Sequence, residues 1–453
     1  MRIALAATLL ASATTAAAPR DIFKQLVEID TSQSSGDTFA AAQAMAKQLT
    51  DAGFPAADVH VFQVAPKKGN LVARLHGTGK NKPLMLVAHI DVVEAKREDW
   101  TTDPFKLVEK DGYLYGRGTG DDKYMASAWV ANMVRWKKEG YKPDRDLILV
   151  LECDEENGSP SGLGMPWLIA NHKDLLDAEY AINEGGGVAA HDGKLLWNSI
   201  QTSEKVFQTY TLEAHNKGGH SSQPRKDNAI YELADALTKL EKYEFPVELN
   251  ATTRAYFTKM SAIETGQLAA DMKSLVSAKP DAAALARLSA LPPYNAQIRT
   301  TCVATRLEGG HADNALPQVA RATVNCRILP GHTAEETQAA LAQVIGDPGI
   351  AVAIKEKDVA SAPSAIPKEL TAAAEKLTAK YYGGIPVIPT MSTGATDGRF
   401  LRNAGIPTYG HSGMASDIFD VRAHGKDERV SAKGFDTGVE YLYQLVKILA
   451  GGR

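Results

Sequence analysis

The sequence is short of three things: cysteine, excess positive charge and long apolar runs. Its 50 Lys and Arg residues are outnumbered by 54 Asp and Glu residues, which gives a net charge of −4. A protein that binds the nucleic-acid backbone needs a basic face, and no Lys/Arg cluster provides one here. After the first residues, no apolar run approaches the ~20 residues of a membrane-spanning helix. We therefore expect neither a nucleic-acid partner nor a membrane anchor.

Three cysteines are present, and none lies in a setting that favours a catalytic thiol. Cys153 follows an apolar run and is expected to pack as a small buried hydrophobe. Cys302 and Cys326 lie in two strand-like segments that could pair antiparallel about a turn near Asn314, and in that register their side chains would face each other. The sequence leaves open whether they form a disulfide or remain two free thiols.

The first 18 residues have the character of a signal peptide. Arg2 precedes the apolar stretch 3–10, and Ala16-Ala17-Ala18 offers a cleavage site of the A-x-A type just before Pro19. We expect cleavage near Ala18 and export to a periplasm or to the exterior, where disulfides persist. The alternative is an N-terminal helix of a cytosolic protein, because the charged region is a single arginine.

The chain has 453 residues, of which 44% are hydrophobic, and is long enough for two or three domains of about 150 residues each. A helical pattern over residues 21–53 is followed by short apolar runs that alternate with helix-like segments. Such runs suit strands buried on both faces of a largely parallel sheet. The runs are 70–75, 84–90, 147–151 and 180–183, and the helices are 124–139 and 165–171. This alternation predicts a layered α/β domain.

The pattern of predicted helices and strands changes near Ser203 and changes back near Ser361. Its segments follow the order β-α-β-β-α-β, which describes a ferredoxin-like α+β sandwich. Residues 244–297 interrupt that order with an Ala-rich segment that is predicted to be helical but whose role the sequence does not indicate. The α/β pattern returns after about Ser361. We therefore predict a catalytic domain formed by residues 19–202 and 361–453, with residues 203–360 inserted as a second domain.

Several residues that can bind metal or move protons occur at loop-like positions, and some directly follow predicted strands. Open α/β sheets place their ligand crevices at such strand ends. A single histidine or glutamate there is more often structural, but three strand ends that all carry such residues favour function. Five metal ligands and two further carboxylates are what a two-metal hydrolytic site requires. The residues are His89, Asp91, Asp121, Glu155, Glu156, Glu184 and His424.

Two pairs of these residues lie close together in the sequence, and their spacing indicates a different role for each member of a pair. Residues two apart on a strand point the same way, so His89 can bind a metal while Asp91 holds its ring in place. Taken alone, Asp91 would be a cap of the strand-end turn. Neighbouring Glu155 and Glu156 point in different directions, so one can bind metal while the other takes a proton from water that the metal activates.

The glycine-rich stretch 116–123 lacks the spacing of a phosphate-binding loop. Its glycines permit a tight backbone path that brings Asp121 into a crevice, where its two carboxylate oxygens could bridge two cations. A helix N-cap is the alternative role, and it suits Asp122 as readily.

In motif order, the chain resembles the M20 family of co-catalytic zinc peptidases and amidohydrolases, which includes carboxypeptidase G2, succinyl-diaminopimelate desuccinylase, aminoacylase-1 and carboxypeptidase S. The resemblance runs from about Asp21 to the C-terminus, and its motifs are highly specific when found together: His89-Ile90-Asp91-Val92-Val93 and residues 116–123, 154–159 and 424–430. It implies an α/β fold with a three-layer zinc-hydrolase catalytic domain and an inserted α+β ferredoxin-like lid and dimerisation domain. One departure is Glu94, where many relatives have proline; it could reshape the pocket rim.

The resemblance also implies a role for each residue of the metal site. One zinc would bind His89 and Glu184, and the other would bind Glu156 and His424. Asp121 would bridge the two ions. Glu155 would be the general base, and Asp91 would orient His89.

Further implied roles fall on the inserted domain and on one loop. Residues 218–224 are similar to the family's lid motif, whose histidine, here His220, would reach the active site of the partner subunit in a homodimer and stabilise the oxyanion. Asn314 and Arg327 match positions that contact substrate in relatives, and Gly394 lies in a loop like the one beneath the substrate. On the residues alone, His220 would be a turn histidine, Asn314 would hold a turn and Arg327 would be a solvated strand residue.

We therefore expect an exported hydrolase with two zinc ions per subunit that cleaves an amide or peptide bond in a small substrate with a free carboxylate. It would be a carboxypeptidase, a dipeptidase or an N-acyl amino acid amidohydrolase. The placement of the insertion favours N-acyl amino acids or small peptides, and cobalt or manganese could replace zinc. Two alternatives remain: a non-catalytic metal- or peptide-binding protein on the same scaffold, and a one-metal aminopeptidase of another family.

Overall fold

The computed structural model describes residues 18–156 and 162–452. Most of the predicted signal peptide and residues 157–161, part of one motif, lie outside these ranges. None of the helices within them is long and apolar enough to cross a bilayer. Those helices are α1 (Pro19–Val27), α2 (Thr38–Asp51), α3 (Lys123–Glu139), α4 (Met165–Asn171), α5 (Ala229–Lys242), α6 (Ala251–Ile263), α7 (Gly266–Leu275), α8 (Ala282–Ser289), α9 (Pro292–Ile298), α10 (Ala334–Ile345), α11 (Lys368–Tyr382), α12 (Gly398–Asn403) and α13 (Ala432–Ala450).

The strands within the same ranges belong to one large sheet and three smaller ones. They are β1 (Val59–Ala65), β2 (Lys68–Leu75), β3 (Leu84–His89), β4 (Val108–Lys110), β5 (Tyr113–Tyr115), β6 (Leu147–Glu152), β7 (Tyr180–Asn183), β8 (Gly187–His191), β9 (Lys194–Glu204), β10 (Val206–His215), β11 (Gly219–His220), β12 (Thr301–Gly309), β13 (Ala315–Leu316), β14 (Val319–Ile328), β15 (Ile350–Glu356), β16 (Val387–Ser392), β17 (Thr408–Gly410), β18 (Ala415–Asp417) and β19 (Arg429–Ser431).

The large sheet has the order β1-β2-β6-β3-β7-β17-β9-β8-β18, and β16 also pairs with β9. Its central strands β6, β3, β7 and β17 are mutually parallel. Strand β2 runs antiparallel to both β1 and β6. The expected largely parallel sheet is thus found at the centre and is wrong for residues 70–75, because a tight turn from β1, with no helical crossover, brings β2 back into the sheet.

Helices cover both faces of this sheet, as predicted for a three-layer α/β domain. Every residue of β3 and β6 is buried. Along β3, Leu84 and Leu86 face a core shared with helices that include α1, α3 and α13, whereas Met85 and Val87 face a second core with α4 and α12. This double burial explains why the strands are uninterrupted apolar runs in the sequence.

The second sheet has the order β12-β14-β10-β15 and is antiparallel throughout. Helices α5 and α10 pack on one face of it. The chain order β10, α5, β12, β14, α10, β15 reproduces the predicted β-α-β-β-α-β arrangement. Thr333 and Glu336 form a reciprocal capping box at the start of α10. The boundaries of an inserted domain at residues 203 and 360 stay predictions.

The cysteine pair that the sequence left open is joined. Cys302 and Cys326 lie directly opposite each other on β12 and β14 and form a disulfide across a separation of 24 residues. Cys153 is a buried free thiol, as expected, and burial raises its pKa. Its thiol is therefore inert at neutral pH.

Lys205 is the single residue that connects β9 of the large sheet to β10 of the second sheet. It is fully buried, and its ammonium group donates to the carbonyl oxygen of Arg299 at 2.7 Å and to the hydroxyl of Thr301 at 3.3 Å. Burial and, to a smaller extent, the positive charge of Arg327 lower the pKa of Lys205 to about 7. The connection between the sheets thus holds a lysine that titrates near neutral pH.

We expect this lysine to make stability depend on pH. Between about pH 7 and pH 10.5 the unfolded chain holds a proton on Lys205 that the folded chain lacks, so stability rises with pH there, by at most about 1.4 kcal/mol per pH unit. The cost of burying the charge is felt in full below pH 7. Urea unfolding of wild type and Lys205→Met at several pH values measures this, and a pH-independent difference between the two would contradict it.

Candidate metal centre

The candidate ligands collect at one edge of the large sheet. His89 is the last residue of β3, Glu155 and Glu156 follow β6, and Glu184 follows β7. Because these strands are parallel neighbours, their carboxyl ends meet at the same edge. Chain direction thus explains how residues nearly a hundred positions apart come to share one site.

The first group of ligand atoms is formed by His89, Asp121 and Glu184. The Nε2 atom of His89 lies 2.9 Å from Oδ1 of Asp121 and 3.8 Å from Oε2 of Glu184. Burial opposes protonation of His89, yet the charges of Glu184 and Asp121 and the hydrogen bonds that its ring donates to Asp121 and Asp91 raise its pKa well above the usual value. One nitrogen and two carboxylates therefore converge on one point.

The second group is formed by Asp121, Glu156 and His424. The Nε2 atom of His424 lies 3.2 Å from Oδ2 of Asp121 and 2.9 Å from Oε2 of Glu156. Hydrogen bonds to Asp121 and Glu156 raise the pKa of His424 to about 10. In each group the candidate ligand atoms lie within 4.8 Å of one another.

Asp121 belongs to both groups and faces each with a different oxygen. Burial would raise its pKa, but hydrogen bonds from His424 and His89 lower it, so it stays ionised. Burial raises the pKa of Glu184 and of Glu155 well above the usual value. The negative charge of Glu155 raises the pKa of Glu184 further, and the charges of Asp397, Glu156 and Asp121 do the same for Glu155. So many carboxylates in a small buried volume call for positive charge beyond that of two imidazoles.

Asp91 lies behind the ligands. Its carboxylate accepts hydrogen bonds from the backbone N–H groups of Glu155 at 3.2 Å and Glu156 at 3.1 Å. Its Oδ1 is 3.5 Å from Nδ1 of His89, and its backbone carbonyl is 3.0 Å from the same nitrogen. Asp91 thus holds both the His89 ring and the segment that carries the two glutamates.

Glu428 is a buried residue of the site that the sequence analysis missed. Its carboxylate accepts hydrogen bonds from the backbone N–H groups of Gly118 at 3.0 Å, Gly120 at 2.7 Å and Asp121 at 3.2 Å. It also forms a 2.7 Å ion pair with Arg117. Glu428 therefore fixes the loop that carries Asp121 to the loop that carries His424. Its position four residues after His424 in one motif was the available signal.

A cavity of about 680 Å³ opens in front of these ligands, between the two sheets. Arg327 and Gly394, which the sequence resemblance placed near the substrate, are among the residues that line it. The guanidinium of Arg327 lies over the ring of Phe207, 4.6 Å from its centroid. The lining residues are Asp121, Glu155, Glu156, Phe207, Thr209, Arg327, Glu356, Lys357, Asp358, Gly394, Ala395, Arg399 and His424.

Three other residues lie elsewhere. His220 and Asn314 are exposed and lie at a small two-stranded sheet of β11 and β13, where Ser221 N–H donates to the Asn314 carbonyl at 3.0 Å. Neither residue lines the cavity of its own chain. Glu94 does not line it either, because its carboxylate turns away and accepts two hydrogen bonds from Ser34. The expected effect of Glu94 on the pocket rim is therefore not found.

Comparison with known proteins identifies the family. The family model described as Peptidase family M20/M25/M40 matches residues 85–448. The chain belongs to peptidase family M20. It is 30% identical over 398 residues to the N-fatty-acyl-amino acid synthase/hydrolase PM20D1 of Xenopus tropicalis, covering 86% of this chain and 74% of the relative. It is 26% identical to aminoacylase-1 of Sus scrofa, covering 95% and 94% of the two chains.

The fold agrees with M20 structures. The M20 family metallo-carboxypeptidase Sso-CP2 from Sulfolobus solfataricus superposes with a TM-score of 0.70 at 18% identity, covering 95% of this chain and 98% of the other. This M20 protein is therefore a hydrolase of a metal-dependent family, and the alternatives of a non-catalytic protein and of an aminopeptidase from another family are wrong.

Replacing Glu428 by glutamine should weaken metal binding about 10- to 100-fold, because the Asp121 loop loses the charge that holds its N–H groups. Competition with a chelating dye measures the affinity. The matched control is Asp427→Asn in the same loop, whose carboxylate accepts from Thr101 instead. Wild-type affinity in a folded Glu428→Gln protein would rule out the role assigned to this carboxylate.

Proposed function

We propose that this protein is a di-zinc hydrolase that cleaves an amide or peptide bond in small substrates with a free carboxylate. The observation that carries the proposal is the position of Asp121, which offers one carboxylate oxygen to each of two ligand groups. One shared carboxylate between two three-residue groups is the arrangement needed to hold two cations a few ångströms apart.

The donor atoms fit zinc. Each group offers one imidazole nitrogen and two carboxylate oxygens, which leaves a coordination position for water or substrate. His89 and Glu184 would hold one ion, Glu156 and His424 the other, and Asp121 would bridge them. Cobalt or manganese would suit the same donors. When bound, the ions would polarise the scissile carbonyl and make water a better nucleophile at neutral pH.

Glu155 would act as general base. It lines the cavity beside both ligand groups, and burial raises its pKa, which suits a carboxyl that must accept and release a proton. It would take a proton from the attacking water and pass it to the leaving amine. Asp91 would keep Glu155 and His89 in register through the contacts described above.

Arg327 and Gly394 would position the substrate. Both line the cavity, Arg327 from strand β14 of the second sheet and Gly394 from the loop that follows β16, and the planar guanidinium of Arg327 suits a carboxylate. Names of relatives support this substrate class: one is an N-fatty-acyl-amino acid synthase/hydrolase and another an aminoacylase. In such substrates a carboxylate lies close to the scissile amide. We propose N-acyl amino acids or small peptides for this protein.

The proposal includes a homodimer. The side chain of His424 is 57% exposed, so the cavity has an open side. His220 lies exposed on β11, outside the cavity of its own chain. We propose that residues 203–360 form a lid and dimerisation domain, that His220 of one chain stabilises the oxyanion formed in the site of the other, and that Asn314 contacts the substrate there.

The protein is proposed to act in the periplasm or outside the cell. The signal-peptide pattern ends at Ala18, helix α1 begins at Pro19, and the Cys302–Cys326 disulfide suits an oxidising compartment. N-terminal sequencing of the protein recovered from each cell fraction would decide this.

A substrate screen tests the reaction. Zinc-loaded protein should hydrolyse N-acyl amino acids, and the chelated protein should not. Matched N-acyl amines that lack the carboxylate should react about 10- to 100-fold less efficiently in kcat/KM, since Arg327 loses a charged hydrogen bond. The absence of turnover on any amide or dipeptide would refute the function, and equal rates with and without the carboxylate would refute the role of Arg327.

Subunit complementation tests Glu155 and His220 together. We expect Glu155→Gln to lower kcat about 10²- to 10⁴-fold and His220→Ala about 10²- to 10³-fold. In a mixed dimer, the His220→Ala chain keeps its base and receives His220 from the Glu155→Gln chain. Co-expression with two affinity tags should therefore restore about half of the wild-type activity per purified heterodimer. A heterodimer as inactive as its parents would exclude an exchange of His220 between subunits.

A further inference from the structure

We propose that residues 244–300, here called the helical insertion, brace strand β16 of the large sheet against strands β12 and β14 of the second sheet, and so set the width of the active-site cavity. The helical insertion contains α6, α7, α8 and α9 and connects α5 to β12. The cavity lies between the two sheets, so an element fixed to both controls their separation.

The core of the helical insertion is completed by the large sheet. Ile388, at the centre of β16, is fully buried among the apolar side chains of the insertion. Trp197 of β9 packs against the same cluster. The buried insertion residues around Ile388 are Phe257, Met260, Met272, Leu275, Leu288 and Ile298. Since removing Ile388 would open this core to water, the insertion and β16 pack as one body.

Hydrogen bonds attach the helical insertion to the outer edge of β16. On the edge of β16 that faces β9, the backbone N–H groups of Asn198 and Lys205 donate to the carbonyls of Pro386 and Ser392. Because carbonyl direction alternates along a strand, the carbonyls of Val387 and Met391 point to the opposite edge. Lys259 donates to the carbonyl of Val387 at 2.8 Å, and Gln297 donates to that of Met391 at 2.9 Å. The insertion therefore satisfies backbone groups of β16, which among the described strands pairs only with β9.

The other end of the helical insertion is fixed to the second sheet. The Thr300 hydroxyl accepts a hydrogen bond from the N–H of Leu329 at 3.0 Å, and the Arg299 carbonyl accepts one from Lys205. Near its start, Glu248 lies 2.7 Å from Nε2 of His332, in the turn that precedes α10. Thr301, the first residue after the helical insertion, pairs directly with Arg327 on β14.

Both attachment points lead straight to the cavity. Beyond Met391, the hydroxyl of Ser392 accepts a hydrogen bond from the N–H of Gly394 at 3.0 Å, and Gly394 lines one wall. At the other end, Thr301 lies opposite Arg327 of β14, which lines the cavity from the side of the second sheet. Fixing Met391 and Thr301 to one rigid helical body thus fixes the distance between the two walls, and with it the length of substrate that both can contact.

The double variant Lys259→Ala/Gln297→Ala tests the brace by removing both hydrogen bonds to β16. Its matched control is Gln267→Ala/Lys273→Ala, which changes the same residue types within α7; Gln267 bonds Asp271 of its own helix. Two readouts apply: hydrogen exchange of amides 387–395 in the metal-loaded protein, and the separate values of KM and kcat for the best substrate.

We expect amide exchange over residues 387–395 to rise about tenfold and KM about fivefold in the double variant, as loss of two hydrogen bonds predicts. The kcat value and the metal content should stay within about twofold, since no metal ligand moves. The control should match wild type. Unchanged exchange and KM would overturn the brace, and so would a fall in kcat together with metal loss. If the double variant does not fold, Gln297→Ala alone is held to the same criteria.

The KM measurement rests on the proposed function, whereas hydrogen exchange needs no substrate. If wild type hydrolyses none of the substrates, the proposed function fails while amide exchange still decides the brace. If wild type is active and exchange at residues 387–395 is the same in all variants, the brace fails while the proposed function stands.

Discussion

The carboxylate of Asp121 is shared between the imidazoles of His89 and His424, and the rest of the site is arranged around that sharing. Asp121 reaches its position at the end of a buried glycine-rich loop. Glu428 holds this loop by accepting hydrogen bonds from three of its backbone N–H groups, and it lies on the same segment as His424. Asp91 does the same for the opposite side through Glu155 and Glu156. Two buried carboxylates outside the candidate ligand groups thus hold the loops that carry the candidate ligands.

The sequence predicted much of the fold and of this site because strand ends leave a local signal. A buried strand is an apolar run, and a charged residue directly after it must lie at a sheet edge, which located His89, Glu155, Glu156 and Glu184. The direction of β2 left no such signal, since hairpin and crossover strands look alike when both are buried. Arg327 and Gly394 needed the family resemblance, because a strand arginine and a loop glycine have many roles.

Residues whose role lies in contacts distant along the chain could not be read from the sequence. Glu428 looks like a surface acid beside a histidine, and only the path of the chain shows that it points at the loop 310 residues earlier. Glu94 showed the reverse, since a change within a motif proved to face Ser34 and not the cavity. Residues 244–297 were predicted to be helical with no role assigned. The packing of these helices depends on Ile388 of β16, which the Ala-rich pattern does not indicate.

The burial of Ile388 in the core of the helical insertion also bears on how the chain folds. The ribosome adds Ile388 about 90 residues after Ile298, which is the last buried residue that the helical insertion contributes to this core. During synthesis, the apolar side chains of helices α6 to α9 that pack on Ile388 therefore stay uncovered until β16 has been made and has paired with β9. The second sheet can form earlier from its own strands, but its connection to the large sheet cannot become rigid before then. Folding of the two sheets is thus coupled through a late, non-local contact, of the kind that slows folding and exposes intermediates to aggregation.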